Sequence, residues 1–170
     1  DLYKRQEYMF TVTCSGEIIY GLGAIKGLGE GPIENLIDAR KEGGPFKNLF
    51  DFCQRVDPRK VNKRALDALI RSGSFDSLGT ERAVLIAGTK EAVKAAEQSA
   101  SNKNAGMMDL FGDVVPSGSD DDVYADFHSV RALTPKQRLR GEKETLGLYV
   151  TGHPIDEYEK ELKQFVRNLS

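Results

Sequence analysis

Hydrophobic residues recur at helical spacing through most of this chain. In the clearest case, Ile33, Leu36 and Ile37 place one apolar stripe on a helix that begins with Pro32 at its first position. The pair Gly43-Gly44 supplies the stop signal for this helix. The pattern therefore predicts an amphipathic helix between the proline and the glycine pair.

Further segments show the same periodicity. One runs over residues 45–56, and the next over 58–71 with Asn62 as its N-cap. A long Ala-rich helix, capped by Thr80, follows and extends to about residue 98. Helical pattern resumes after Thr134-Pro135. The apolar stripes of these segments comprise Phe46, Leu49, Phe50, Cys53, Val56, Leu66, Leu69, Ile70, Leu139, Leu146, Tyr149, Ile155, Tyr158, Leu162, Phe165, Val166 and Leu169.

The first twenty residues differ from the rest, because β-branched and aromatic side chains dominate residues 8–20. Two such runs flank Ser15-Gly16, which predicts a short β-hairpin. A lone two-stranded hairpin is marginally stable, so we expect it to complete a sheet with strands from elsewhere. The predicted fold class is mainly α, with this short N-terminal β-hairpin.

Glycines are concentrated just before the first helix, with five between Gly21 and Gly31. Their spacing fits neither a dinucleotide fingerprint nor a nucleotide P-loop. The hairpin of residues 25–29, between two short helices, instead matches the helix-hairpin-helix pattern. Backbone N–H groups and the positive end of a helix dipole favour a phosphate there, which indicates binding to a nucleic-acid backbone. A glycine-rich turn that only packs two helices is the alternative.

The same arrangement recurs at residues 72–79, a glycine-bounded hairpin between two predicted helices. The helix before it begins with a basic cluster that contains Arg59, Lys60, Lys63 and Arg64. A basic run alone is typical of a solvated helix face. The repeat of helix, hairpin and helix favours nucleic-acid binding more than either copy does.

Charge divides the chain into two unlike parts, although the whole carries only −2. Residues 26–103 hold 14 Lys/Arg against 11 Asp/Glu, whereas residues 104–130 hold six Asp and no basic residue. The polar, acidic stretch over 99–130 has no periodicity and predicts a flexible linker. A net charge of +3 on the first part predicts modest, salt-sensitive affinity for nucleic acid.

One apolar island, residues 107–111, interrupts this linker. Such a cluster either contacts its own domain or serves as a short linear motif that fits a partner's hydrophobic groove. The physical chemistry is compatible with both.

Other features restrict the classes of function. No apolar run is long enough for a signal peptide or a membrane span. Cys14 and Cys53 lack the neighbours of a metal site, and His128 and His153 do not complete one. We expect Cys53 to be a buried reduced thiol, and His153, before a helix-starting proline, to have a structural or capping role and not a catalytic one. These features favour a cytoplasmic protein, and the absence of an initiator Met suggests a segment of a longer chain.

Three stretches together resemble a known family. Residues 21–34, 69–76 and 142–154 are similar, in order, to the alpha subunits of bacterial DNA polymerase III, the C-family replicative polymerases. The resemblance implies a region after the fingers domain that contains a tandem helix-hairpin-helix and a clamp-binding segment. It also implies that the catalytic aspartates and the Mg²⁺ of the parent polymerase lie elsewhere, so this segment is non-catalytic and needs no cofactor of its own.

The resemblance also implies two binding sites. The island matches the family's internal motif for the sliding clamp (the beta subunit) at Leu110 and Phe111, but Met107 stands where the motif has Gln. The clamp-binding residues are then Met107, Met108, Asp109, Leu110 and Phe111. The expected contacts to the phosphates of double-stranded DNA are Lys26, Gly27, Leu28, Gly29, Glu30, Gly31, Lys60, Lys63, Arg64, Ser74, Phe75 and Gly79.

The predicted domain plan has four parts: 1–20, the end of the fingers; 21–98, the tandem helix-hairpin-helix; 99–130, the acidic linker; and 131–170, C-terminal helices. Partners would be duplex DNA, the clamp and the other holoenzyme subunits, at the nucleoid in the cytoplasm and not at a membrane. Alternatives are a helix-hairpin-helix DNA-repair enzyme, a stand-alone DNA-binding module and a protein-interaction scaffold. A repair enzyme would need a catalytic Lys or Asp just beyond a hairpin, but Lys26 comes before the glycines of its hairpin and Asp38 falls within a helix.

Overall fold

The computed structural model describes residues 11–12, 18–19, 21–104 and 123–167, and these are mainly helical. The α-helices among them are α1 (Glu30–Gly43), α2 (Leu49–Arg55), α3 (Lys63–Arg71), α4 (Arg82–Asn104), α5 (Pro135–Leu146) and α6 (Glu159–Arg167). Short 3-10 turns lie at Leu22–Ala24, Asp76–Leu78, Ala125–Phe127 and Pro154–Tyr158. The mainly α prediction is confirmed.

The N-terminal part contains a short antiparallel pairing between β1 (Thr11–Val12) and β2 (Ile18–Ile19). Thr11 lies opposite Ile19, and Val12 lies opposite Ile18. Most of the predicted hairpin, including its turn at Ser15-Gly16, lies outside the described residues.

Helix starts follow local capping signals more closely than proline positions. Helix α1 begins at Glu30, so Pro32 occupies its third position and not its first. Proline is compatible with that position because the first N–H groups of a helix have no intrahelical acceptor. Helix α2 begins at Leu49 and not near Pro45, because the Asn48 side chain caps it by accepting a hydrogen bond from Asp51 N–H at 2.8 Å.

Other predicted helix ends are confirmed. The Asn62 side chain accepts from Ala65 N–H at 2.9 Å and starts α3. Thr134 and Gln137 form a reciprocal capping box in front of α5, with Pro135 at the first position. At the end of α1, Gly44 takes φ +74°, a conformation that favours glycine.

The core lies where α2 packs on α4, with α1 and α3 around them. Aromatic contacts organise its centre: the Phe52 ring meets Phe46 and Phe75 edge-on, each at 4.9 Å between ring centroids. The most deeply buried side chains are Phe52, Ile33, Ile37, Leu49, Leu69, Ile70, Leu85 and Glu142. The predicted apolar stripes of α1, α2 and α3 therefore face the core. Glu142 is the one charged residue among these deeply buried side chains.

The predicted linker over 99–130 is wrong at both of its ends. Helix α4 continues to Asn104, and Tyr124 is 6% exposed. The Tyr124 hydroxyl accepts a hydrogen bond from Leu49 N–H at 2.8 Å, which satisfies a buried donor in the first turn of α2. The chain around Tyr124 is therefore part of the folded body, although its composition resembles that of a linker.

The C-terminal helical segment carries the predicted apolar stripe on an exposed face. Ile155, Tyr158, Leu162 and Phe165 are between 42% and 67% exposed. His153 caps the 3-10 turn before α6, since its Nδ1 accepts from Ile155 N–H at 3.2 Å. The capping role predicted for this histidine is thus confirmed, whereas the stripe has no partner among the described residues.

Helix α5 is attached to the core by a buried ion pair between Glu142 and Arg82. Glu142 Oε1 accepts from the Arg82 guanidinium at 3.0 Å and from the Thr151 hydroxyl at 2.7 Å. Glu142 Oε2 accepts from Val150 N–H at 2.7 Å and Thr151 N–H at 3.0 Å. A fully buried carboxylate is tolerated only when its oxygens are satisfied in this way.

Burial alone would raise the pKa of the Glu142 carboxyl, because desolvation disfavours its charged form. The hydrogen bonds from Val150, Thr151 and Arg82 outweigh that effect and lower this pKa below its ordinary value. A lowered pKa in the folded state means that the ionised carboxylate stabilises the fold above the ordinary glutamate pKa. That stabilisation is lost as pH falls below the ordinary glutamate pKa and through the lowered pKa of the folded state.

We therefore predict a specific acid sensitivity. The free energy of unfolding of the parent should fall as pH drops below about 4.3, the ordinary glutamate value. Glu142→Gln should be less stable at neutral pH, by roughly 3 kcal/mol if the pair behaves as buried pairs do when one charge is removed. Because it lacks the titrating group, it should lose less stability on acidification. Urea denaturation at several pH values measures both effects.

Glu144→Gln is the matched control, because Glu144 is an exposed carboxylate on the same helix, paired with Arg140. Solvent screening makes such pairs weak, so this variant should follow the parent closely. An equal loss of stability with acid in Glu142→Gln and the parent would contradict the assignment of acid sensitivity to Glu142.

Candidate nucleic-acid interface

The first hairpin, residues 25–29, alternates buried and exposed positions. Ile25 and Leu28 are 3% and 5% exposed, whereas Lys26 and Gly27 face solvent. Leu28 N–H donates to the Ile25 carbonyl at 3.1 Å and closes the turn, with Gly27 at φ +84°. The two apolar side chains anchor the hairpin in the core and leave its tip outside. Leu28 therefore offers a phosphate neither its side chain, which is buried, nor its N–H group, which is already bonded.

Unpaired backbone donors collect where this hairpin enters α1. Within the described part of the chain, the N–H groups of Gly27 and Gly29 have no hydrogen-bond acceptor. The N–H groups of Glu30 and Gly31 begin the helix, and Gly29 supplies no side-chain cap. These donors and the positive end of the helix dipole suit an anion. The exposed Glu30 carboxylate lies at the same end of the helix and repels an anion there.

Lys26 joins this hairpin to the end of α5. Its N–H donates to the Thr145 carbonyl at 2.8 Å, so this amide is not available to a ligand. Its ammonium lies beside Gly147, 3.8 Å from where a Cβ on that glycine would stand. The Lys143 ammonium donates to the Gly147 carbonyl at 2.9 Å. The ammonium groups of both lysines therefore lie beside Gly147, next to the hairpin. Lys143 was missed from the sequence because Lys26 lies over a hundred residues away along the chain.

The second hairpin, residues 72–79, uses most of its backbone donors internally. Ser74 N–H donates to the Leu69 carbonyl and Gly79 N–H to the Asp76 carbonyl, both at 3.1 Å. Phe75 is 6% exposed and packs on Phe52. Of the residues predicted here, Ser74 and Gly79 are exposed at the surface, but their N–H groups are already bonded.

Arg82 holds the second hairpin in shape. Its guanidinium binds both oxygens of Asp76, with Nε to Oδ1 at 2.8 Å and a terminal nitrogen to Oδ2 at 2.6 Å. Gly73 takes φ +85°, and a Cβ there would collide with the same guanidinium. Glycine is thus required at this position both for the backbone angle and for the space that Arg82 occupies.

The predicted basic cluster Lys60, Lys63 and Arg64 is exposed at the start of α3. The second hairpin follows the opposite end of this helix, after Arg71. Eight residues of helix separate the two, which is about 12 Å along the axis. These three residues therefore lie at the end of α3 that is away from the second hairpin.

The proposed clamp motif, residues 107–111, lies outside the described residues. The described residues on either side of it are the end of α4 at Asn104 and the turn that contains Tyr124.

Chemistry of other kinds has little support in the part of the chain that the structure describes. There, no group of three His, Cys, Asp or Glu side chains is arranged to hold a metal ion. The Cys53 thiol is buried, and burial raises its pKa to about 12, so it stays protonated at neutral pH. None of the described helices combines the length and apolar character that crossing a membrane requires.

Comparison with known proteins agrees with this geometry. Residues 4–85 match the family model described as "Helix-hairpin-helix motif". The matched range includes both hairpins and ends just after the start of α4.

Similar proteins over nearly the whole chain are named DNA polymerase III subunit alpha. That of Pseudomonas aeruginosa is 53% identical over 96% of this chain, which is 15% of the relative's length. Those of Vibrio cholerae and Escherichia coli (strain K12) are 49% and 48% identical over 93% and 94% of the chain, 14% of each relative. The chain thus spans about a seventh of the relatives that it matches. On this identity, the chain belongs to the family of DNA polymerase III alpha subunits, as a segment that contains a helix-hairpin-helix motif.

Proposed function

We propose that this segment binds duplex DNA through its phosphate backbone, as a non-catalytic part of a bacterial replicative polymerase. The first hairpin carries the proposal: exposed N–H groups, a helix N-terminus and the Lys26 ammonium occupy one solvent-facing tip. Such donors suit phosphate oxygens and cannot distinguish bases. The helix-hairpin-helix match and the name of the relatives support the same function.

The sites contribute unequally in this proposal. Gly27, Gly29, Glu30 and Gly31 supply backbone donors, and Lys26 and Lys143 supply positive charge. The second hairpin contributes through its outer surface at Ser74 and Gly79. Lys60, Lys63 and Arg64 form a separate basic surface at the start of α3, away from the second hairpin, and attract the phosphate backbone of DNA.

Salt and charge together test this proposal. The 170-residue chain should bind unrelated duplexes with similar affinity, and log affinity should fall linearly with log salt. Lys26→Gln should weaken binding to every duplex and reduce the salt slope by about 0.9, the value for one lost phosphate contact. Fluorescence anisotropy with labelled duplexes measures both quantities.

Lys41→Gln is the matched control, since Lys41 is exposed near the C-terminal end of α1, about 16 Å along the axis from its start. It removes the same charge but should leave the slope almost unchanged. A marked sequence preference, or equal effects of the two lysine substitutions, would contradict backbone binding at the first hairpin.

We also propose that residues 107–111 bind the sliding clamp. The support is the sequence: an apolar island lies within a polar, acidic stretch, at the position of the family's clamp motif. Leu110 and Phe111 are the anchors, because binding energy concentrates in a few buried side chains. Met107 replaces the stem of the expected Gln but lacks its amide, so it cannot reproduce that residue's hydrogen bonds.

Three variants test clamp binding by calorimetry with a purified bacterial clamp. Phe111→Ala should weaken binding by roughly 2 kcal/mol or more, the usual cost of truncating an anchor. Met107→Gln should tighten it, because the polar anchor is restored. Asp109→Asn should match the parent. Unchanged affinity in Phe111→Ala would show that the island is not the clamp motif.

Polymerisation itself belongs, in this proposal, to the rest of the parent chain, together with its Mg²⁺ and its contacts to other holoenzyme subunits. The expected location is the nucleoid in the cytoplasm. The domain plan is also proposed, with the helix-hairpin-helix body widened to include α4 to its end and the turn at Tyr124.

A further inference from the structure

Helix α5 contacts both hairpins from one face. Near its end, the Thr145 carbonyl accepts from Lys26 N–H in the first hairpin at 2.8 Å. One turn earlier, the Glu142 carboxylate binds Arg82 at 3.0 Å, and Arg82 binds Asp76 in the second hairpin. The two attachment points are only about 4.5 Å apart along the helix axis.

The attachment to the second hairpin is buried, and the oxygens of its carboxylate are fully hydrogen-bonded. Glu142 is 0% exposed and Arg82 is 6% exposed. The Arg82 guanidinium also donates to the Arg71 carbonyl at 3.3 Å, at the end of α3. Close packing adds to this, since Gly141 lies against Arg71, whose Cβ would be 3.4 Å from a Cβ on the glycine. The position of the second hairpin relative to α5 is therefore over-determined.

We propose that Glu142 and Arg82 are positioning residues for DNA binding: through α5 they fix the separation of the two hairpins so that both bind one duplex at once. This inference rests on the proposed function. Neither side chain touches DNA, because both are buried. They hold the two hairpins in the geometry that lets the second hairpin bind DNA once the first has bound.

The consequence is a dependence on duplex length. When two sites are rigidly linked, binding at the first raises the effective concentration at the second, provided that the ligand can reach both. Affinity should then rise in two steps as the duplex is lengthened, once when it covers one hairpin and again when it covers both. Loss of the link should remove the second step and leave the first.

A series of duplexes of increasing length tests this with the full 170-residue chain. Glu142→Gln keeps the shape of the side chain but removes its charge, and should weaken binding to the longest duplex at least tenfold while leaving the shortest unchanged. Thr151→Val, which removes only the hydrogen bond to Glu142 Oε1, is the milder variant if Glu142→Gln does not fold. Far-UV circular dichroism establishes folding, and Glu144→Gln is the control on the same helix.

The attachment of the first hairpin is tested separately. Lys26→Pro removes both the charge and the N–H that bonds Thr145, whereas Lys26→Gln removes the charge alone. Lys26→Pro should lose the second rise in affinity with duplex length. Lys26→Gln should keep this second rise but bind duplexes of every length more weakly. The residue before it, Ile25, has φ −76° and ψ 116°, which a following proline accepts.

The outcomes separate the two proposals. If the parent binds no duplex of any length, the proposed function fails. If the parent binds but shows no second step, or if Glu142→Gln or its milder substitute retains the second step with unchanged affinity, the inference about α5 is overturned. An equal loss at all lengths would show that these residues serve folding alone, which also overturns it.

Discussion

The ion pair between Glu142 and Arg82 is the interaction on which the arrangement of this molecule depends. Removing two charges from water is costly, and the Coulomb attraction between them compensates only when the remaining donors and acceptors are satisfied. This condition holds here, since Glu142 accepts from Val150, Thr151 and Arg82, and Arg82 also donates to both oxygens of Asp76. The pair thus joins α5 to the second hairpin, although sixty residues separate its members in sequence.

The two hairpins resemble one another in sequence but differ in how their backbone donors are used. In the second, Ser74 and Gly79 N–H groups close internal turns, and the guanidinium of Arg82 fills the space beside Gly73. In the first, Gly27 and Gly29 keep free donors within the described part of the chain. The missing side chain at Gly73 leaves room for Arg82, whereas at Gly27 and Gly29 it leaves the backbone donors exposed. The first hairpin therefore presents backbone donors to a ligand, whereas the second, whose shape Arg82 fixes, presents its outer surface at Ser74 and Gly79.

Local signals in the sequence predicted local structure well. Asn62, the Thr134-Pro135 pair and Gly44 mark helix ends correctly because a cap acts over three or four residues. The sequence did not reveal that Tyr124 packs on α2, because a single aromatic residue in an acidic stretch gives no periodic pattern. It likewise did not reveal the roles of Glu142, Arg82 and Lys143, since each depends on a partner brought near only by the fold. The family resemblance included residues 142–154 but did not indicate their role in the structure.

The central claim is that α5 couples the two hairpins, and amide hydrogen exchange tests it without DNA. Lys26 N–H, bonded to Thr145, and Asp76 N–H, bonded to the Gly73 carbonyl, report on the first and second hairpins. In Glu142→Gln, exchange at both amides should accelerate together. Exchange at Val61 N–H, bonded to Asp57 at 2.9 Å before α3, should change much less. Unchanged exchange at Lys26, with acceleration at Asp76 alone, would contradict the coupling.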